Sequence, residues 1–132
     1  MSLASVIEAY TQRLLAWEKP ITPTVLKAIA DEVGITAGEL ASIAQTAQTH
    51  LTRGLDYLEL GQFEQAITEL NQANALEPVY LEVLHALANT YSRRYAQTHR
   101  GADKHQATLI AKRCVQLSPV DKKALTLLKR LE

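Results

Sequence analysis

The stretch from His50 to Pro78 reads HLTRGLDYLELGQFEQAITELNQANALEP and contains two helical patterns that meet at Gly61-Gln62. Small residues occupy the positions where the two helices would touch: Gly54, Ala66 and Ala73. Large residues fill the space around them: Tyr57, Leu60, Phe63, Ile67, Leu70 and Leu76. Pro78 then ends the unit. Side chains of complementary size at helical spacing predict a closely packed helical hairpin.

This hairpin resembles one tetratricopeptide repeat, a helix–turn–helix unit of about 34 residues. The family pattern W-x2-L-G-x2-Y…A-x3-F…P keeps its spacing on these residues: His50, Arg53, Gly54, Tyr57, Ala66, Leu70 and Pro78. His50, Arg53 and Leu70 replace the Trp, Leu and Phe of the pattern. The resemblance implies an all-α fold, a right-handed superhelix of helical hairpins, and a role in protein–protein interaction.

The pattern recurs further along the chain. Its first half returns 34 residues later, at Leu84, Leu87, Ala88 and Tyr91. Its second half returns after 41 residues, at Ala107, Ala111, Cys114, Leu117 and Pro119. The difference predicts an insertion of about seven residues between the helices of the second repeat, within Tyr95–Gln106.

One more amphipathic helix is predicted after the second repeat and two before the first. The segment Asp121–Glu132, with Leu125, Leu128 and Leu131 on one side, would cover the last face of the array. The first N-terminal helix is predicted at about Ser5–Glu18, with these residues on its apolar stripe: Val6, Tyr10, Leu14 and Trp17.

Capping signals set the other boundaries near the N-terminus. Thr22 and Pro23 begin the second helix, and Gly34 suits its left-handed C-terminal cap. That helix is predicted to bury Val25, Leu26, Ile29 and Val33. Thr36 and Glu39 form a capping box that opens a long helix to about Leu60, so the first helix of the first repeat extends a preceding helix.

The chain is therefore predicted to be one helical domain, 1–132, of about seven helices. Its parts are N-terminal helices at 1–46, the first repeat at 47–80, the second repeat at 81–120 with an insertion near 95–106, and a capping helix at 121–132.

An alternative interpretation of the segment 26–44 is a DNA-binding helix-turn-helix, with Gly34 in the turn. The residues exposed on its second helix would be Ala37, Gly38, Glu39, Ser42, Gln45 and Thr46. Between Lys27 and Arg53 the chain has no Lys or Arg, whereas DNA affinity depends on neutralising phosphates. Two helices joined by a tight turn explain the same residues, and no nucleic-acid partner is predicted.

Charge divides the chain into opposite parts. Residues 1–92 hold four basic and eleven acidic residues, a net charge of −7, and residues 93–132 hold ten basic and three acidic residues, a net charge of +7. Three interpretations are open: a solvated surface, an acidic partner bound to the C-terminal part, or a homo-oligomer in which the acidic part of one copy meets the basic part of another.

Other function classes find little support in the sequence. The chain has no glycine-rich phosphate loop, no G-x-S-x-G and no H-E-x-x-H, so no enzyme, cofactor or metal site is predicted. The single Cys114 excludes an intramolecular disulfide and favours a reducing, cytoplasmic location. No apolar run has the roughly 20 residues needed to span a membrane, and the N-terminus does not resemble a signal peptide.

In the family, the first helices of successive repeats line a concave groove that holds a peptide. By matching positions, the resemblance implies these groove residues: Leu51, Leu55, Leu58, His85, Asn89, Arg93, Lys123 and Arg130. A competing interpretation is that the two N-terminal helices fold over Leu51, Leu55 and Leu58. The expected partner is a protein or peptide segment that is at least partly acidic.

Overall fold

A computed structural model describes residues 2–132, and the secondary structure of that range consists of seven α-helices and no strand. The helices are α1 (Leu3–Leu15), α2 (Pro23–Val33), α3 (Ala37–Glu59), α4 (Phe63–Leu76), α5 (Leu81–Thr98), α6 (Gly101–Leu117) and α7 (Lys122–Leu131). The predicted all-α helical repeat fold is confirmed. Within the described range, no helix combines the length and the apolar composition that a membrane crossing requires.

The N-terminal boundaries follow the capping signals. The Thr22 hydroxyl accepts from Val25 N, and Gly34 closes α2 at φ 85°, in the left-handed region. Thr36 and Glu39 make both bonds of the capping box at the start of α3. Helix α1 ends at Leu15, not Glu18, and α2 buries Ile29 and Ala30 while Val25, Leu26 and Val33 stay partly exposed. Because the buried stripe of α2 is shorter than predicted, Val25, Leu26 and Val33 lie at the edge of the core.

Helices α3 and α4 form the first hairpin, and α5 and α6 form the second. Gly54 lies against Leu70 so closely that a Cβ built on it would stand 2.6 Å from Leu70 Cγ. Ala66 and Ala73 are fully buried, as their small size requires at a close helix contact. In the second hairpin, Ala107, Ala111 and Cys114 are likewise fully buried.

The predicted insertion is not a loop. Helix α5 continues to Thr98 and α6 begins at Gly101, so only two residues separate them. The additional residues lengthen both helices of the second hairpin. Arg94 Nε and Nη2 donate to the Asp103 carboxylate at 3.1 and 2.7 Å. This ion pair connects the last turns of α5 to the first turn of α6.

The buried face of helix α7 overlaps only in part with the predicted one. Its buried residues are Ala124, Leu127 and Leu131, whereas Leu125 is 46% exposed and Leu128 is partly buried. The Asp121 side chain caps the helix by accepting from Ala124 N. The Ala124 side of α7 is therefore buried, whereas Leu125 is exposed.

Candidate functional site

A groove with a volume of about 600 Å³ lies on the face formed by α3, α5 and α7, with α6 beneath it. The first helices of successive units contribute its walls, because α3 contacts α5 and α5 contacts α7. The residues that line the groove are Leu55, Glu82, His85, Ala86, Ala88, Asn89, Ala111, Cys114, Lys122, Lys123, Ala124, Thr126, Leu127 and Arg130. Mostly small apolar side chains therefore form its interior, and longer charged side chains surround it.

The structure brings five of the eight sequence-predicted residues together around this groove. They are Leu55, His85, Asn89, Lys123 and Arg130. Leu55 comes from α3, His85 and Asn89 from α5, and the two cationic residues from α7. The five lie on different helices, so no short motif could have joined them.

The other three predicted residues do not line this groove. Leu51 is fully buried among residues of α3, α4 and α5, and Leu58 is 5% exposed beside Phe63 and Ala66. Neither side chain is available to a partner. Arg93 is exposed but does not line the groove, and its guanidinium lies 5.8 Å from the centre of the Phe63 ring.

The N-terminal helices do not cover the groove, which corrects the competing interpretation. Ile21 N donates to Leu117 O at 2.9 Å, and Arg113 Nη2 donates to Leu14 O at 3.1 Å. The end of α1 and the segment after it therefore dock on the last turns of α6. Leu55 stays 39% exposed.

His85 and Asp121 form a paired group between α5 and the start of α7. Their Nε2 and Oδ2 atoms are 2.5 Å apart, and the carboxylate side chain is only 6% exposed. Burial by itself would raise the pKa of Asp121, but hydrogen bonds from His85 and Ala124 N outweigh burial and hold it below its ordinary value. An ionised carboxylate only accepts, so His85 Nε2 carries the proton in this bond.

Cys114 lies at the floor of the groove and is fully buried. Burial, with a smaller contribution from the Asp121 charge, raises the pKa of the thiol to about 12. The thiol is therefore neutral at ordinary pH and is not an activated nucleophile.

Lys122 and Asp121 are two charged residues of this region that sequence reasoning missed. Asp121 is recognisable as a helix N-cap, since it precedes the basic first turn of α7. Its pairing with His85 spans 36 residues and has no signal in the sequence.

The segment 26–44 does contain two helices joined by a tight turn. Its second helix, α3, is 23 residues long, and the C-terminal part of α3 builds the first repeat hairpin. Glu39 is committed to the capping box, and the exposed residues that follow it are uncharged. These features support the structural interpretation of the segment.

Comparison with protein families gives one match. Residues 54–93, less than a third of the chain, match the family model described as a TPR repeat. The match begins in α3 and ends in α5, so it contains the α3–α4 turn, all of α4 and the start of the second unit. Searches of curated proteins and of solved structures each found no match. The predicted recognition of a tetratricopeptide repeat is confirmed.

Proposed function

Because this chain carries a tetratricopeptide repeat, we propose that it is a non-enzymatic assembly or scaffold protein whose groove binds a partly acidic segment of a partner protein. Such repeats generally mediate protein–protein interactions. The observation that carries the proposal is the groove between α3, α5 and α7, which combines an apolar interior with a cationic edge.

The interior of the groove suits apolar side chains of a bound segment. Ala86, Ala88 and Leu127 line it, and Leu55 adds a half-exposed apolar surface from α3. Sites that combine an apolar lining with a few polar groups are typical of ligand binding in proteins. Asn89, which is exposed on α5, offers an amide to the backbone of such a segment.

The edge of the groove carries the charge preference. Lys122, Lys123 and Arg130 all project from α7, and Glu82 is the one acidic residue among the lining residues of the described chain. Glu82 also accepts a hydrogen bond from Tyr80 Oη at 2.6 Å. A carboxylate-bearing segment would therefore meet an excess of cationic groups at the α7 side. Exposed charges of this kind mainly accelerate association and are screened by salt.

A display library of random peptides, selected on the full chain, tests this proposal. We expect the selected peptides to combine apolar residues with Asp or Glu, and their affinity to fall as salt rises. The double variant Lys123→Glu/Arg130→Glu should weaken binding by at least about fivefold. The matched variant Lys112→Glu/Lys129→Glu changes the net charge equally at exposed positions that do not line the groove, and it should bind as the wild type does.

Two results would overturn the proposal. One is a set of selected peptides without acidic enrichment. The other is an equal loss of affinity in both double variants, which would mean that only overall charge matters.

A second copy of the chain is the alternative source of acidic surface, since residues 1–92 carry a net charge of −7. Head-to-tail association of this kind would appear in sedimentation velocity as a larger species at low salt. That species should disappear in the Lys123→Glu/Arg130→Glu variant, because the same groove edge would hold the neighbouring copy. Sedimentation as a monomer at every salt concentration leaves a separate protein as the partner.

A further inference from the structure

Three side chains with metal-binding atoms converge beneath the groove from three different helical elements. His85 comes from α5, Cys114 from α6 and Asp121 from the N-cap of α7. A ring nitrogen, the sulfur and a carboxylate oxygen all lie within 4.8 Å of one another. Asp121 and Cys114 are buried and His85 is partly buried, so the three donors form a largely enclosed cluster.

The three donor types together are selective for one class of ion. Imidazole nitrogen, thiolate sulfur and carboxylate oxygen are the ligands that zinc takes in proteins. Calcium and magnesium prefer sets of oxygen atoms, and iron–sulfur clusters need several cysteines. We propose that His85, Cys114 and Asp121 form a three-ligand site for a divalent transition-metal ion of the zinc class, with its fourth position directed to the groove.

The geometry needs only small adjustments to accept such an ion. Zinc–ligand distances of about 2.0–2.3 Å place tetrahedral ligands roughly 3.3–3.7 Å apart. The His85–Asp121 distance of 2.5 Å would therefore open by about 1 Å, and the longest separation, at most 4.8 Å, would close by a similar amount. On binding, Cys114 would lose its proton to solvent and His85 would bind as a neutral imidazole that carries its proton on Nδ1, so that Sγ and Nε2 can donate electron pairs to the ion.

Small residues form the part of the groove wall that adjoins the cluster. Ala88, Ala111 and Ala124 line the groove together with His85 and Cys114. A fourth ligand from that side can be water or a carboxylate of a bound segment. Only the carboxylate rests on the proposed function, because metal binding itself requires nothing from a partner.

The chain contains a natural comparison for this cluster. His50 Nδ1 and Glu69 Oε2 form a similar pair between α3 and α4, at 2.6 Å, with side chains that are 17% and 19% exposed. That pair has no cysteine beside it, and it belongs to no group of three donors among the described residues. A histidine–carboxylate pair is therefore explained by hydrogen bonding alone, and the thiol is what distinguishes the His85 cluster.

Cobalt(II) is the most informative probe of the site. The full chain is stripped with a chelator, kept reduced, and titrated with Co²⁺ while its absorption spectrum is recorded. We expect visible bands of tetrahedral cobalt together with a near-ultraviolet thiolate-to-cobalt band, saturating at one ion per chain. Because Cys114 is the single cysteine, a thiolate band reports this position alone. Zn²⁺ should then displace cobalt and abolish both signals.

Substitutions separate the cluster from adventitious binding. Cys114→Ala places at this position the residue that the first repeat has at the matching Ala73, so the fold should tolerate it. Cys114→Ala and His85→Gln should each weaken Co²⁺ binding at least about tenfold. His50→Gln, which disrupts the comparison pair, should leave binding unchanged. Circular dichroism of each variant checks that the helices remain.

Absence of a thiolate-to-cobalt band in the wild type would overturn the proposal, even if a variant failed to fold. So would a stoichiometry of one ion per two chains, which indicates bridging between molecules, or equal binding by Cys114→Ala. When peptide binding is measured on the chelator-stripped chain, failure of either proposal is distinguishable from failure of the other.

Discussion

Replacing Gly54 by alanine tests the closest contact in the first hairpin. The added Cβ would lie 2.6 Å from Leu70 Cγ, 2.7 Å from Leu70 Cδ2 and 3.4 Å from Ala66 O. Carbon atoms in ordinary contact are about 3.5–4.0 Å apart, so a separation near 2.6 Å requires a movement of about 1 Å. Leu70 is fully buried and cannot move into solvent. Helices α3 and α4 must therefore separate, or Leu70 must adopt a poorer rotamer.

Two opposing contributions set the size of the effect. Alanine is better than glycine inside a helix by about 1 kcal/mol. Overpacking a closely filled core costs about 1–3 kcal/mol, and the contact with Leu70 is at the severe end of that range. We therefore expect Gly54→Ala to lower the free energy of unfolding by about 1–2 kcal/mol. The larger Gly54→Leu change should cost about 2–4 kcal/mol.

Gly38→Ala is the matched control, since Gly38 lies in the same helix with nothing within 4 Å of its added Cβ. There only the helix preference acts, and stability should rise by about 0.4–1 kcal/mol. Urea denaturation followed by far-ultraviolet circular dichroism measures both variants. If Gly54→Ala were as stable as Gly38→Ala, the close packing of α3 on α4 at Leu70 would be refuted.

Three further predictions concern other contacts. Ala66→Trp should destabilise the chain by about 2–4 kcal/mol in the same urea assay, because Ala66 is fully buried. The control Gln72→Ala changes an exposed residue and should alter stability by no more than about 0.5 kcal/mol. An unchanged unfolding midpoint for Ala66→Trp would contradict the pairing of α3 with α4. The hydrogen bonds from Arg94 outweigh burial and lower the pKa of Asp103 below 3.8, so Asp103→Asn should reduce stability at pH 7. The difference in stability between this variant and the wild type should shrink as the pH falls below about 3.8, because the wild-type carboxylate then becomes protonated. A constant difference in acid titrations of both proteins would exclude this linkage. Arg113→Met should release the end of α1 from α6, and amide hydrogen exchange should then become faster in α1 but stay unchanged in α5. Equal protection of α1 in the variant and the wild type would mean that apolar contacts alone hold α1.

Local signals predicted the fold well. The capping box at Thr36, the left-handed Gly34 and the Pro23 start are determined by neighbouring residues, so they act wherever the chain is placed. The contact between Gly54 and the second helix was also predictable, because a missing side chain at helical spacing marks where another backbone comes close. The segment predicted as an insertion, 95–106, is helical except at His99–Arg100, since none of its residues before that point is a proline or glycine.

The candidate groove was predictable only in part. Leu51, Leu55 and Leu58 share one side of α3, yet Leu55 lies about 60° round the helix from Leu58. The positions of α4 and α5 decide that Leu51 and Leu58 are covered while Leu55 remains exposed. Helical spacing identifies an apolar stripe, but it does not say where the covered part of that stripe ends.

By itself, the sequence determined the helical class, the repeat and most helix ends, because periodicity, caps and small-residue spacing are local properties of the chain. Tertiary structure alone decided which side of α7 is buried and which residues meet at the groove. It also brought His85, Cys114 and Asp121 within 4.8 Å of one another, although they are separated by as many as 36 residues. Such convergence depends on the rotation of each helix about its axis and on its packing against its neighbours, and no local pattern encodes either.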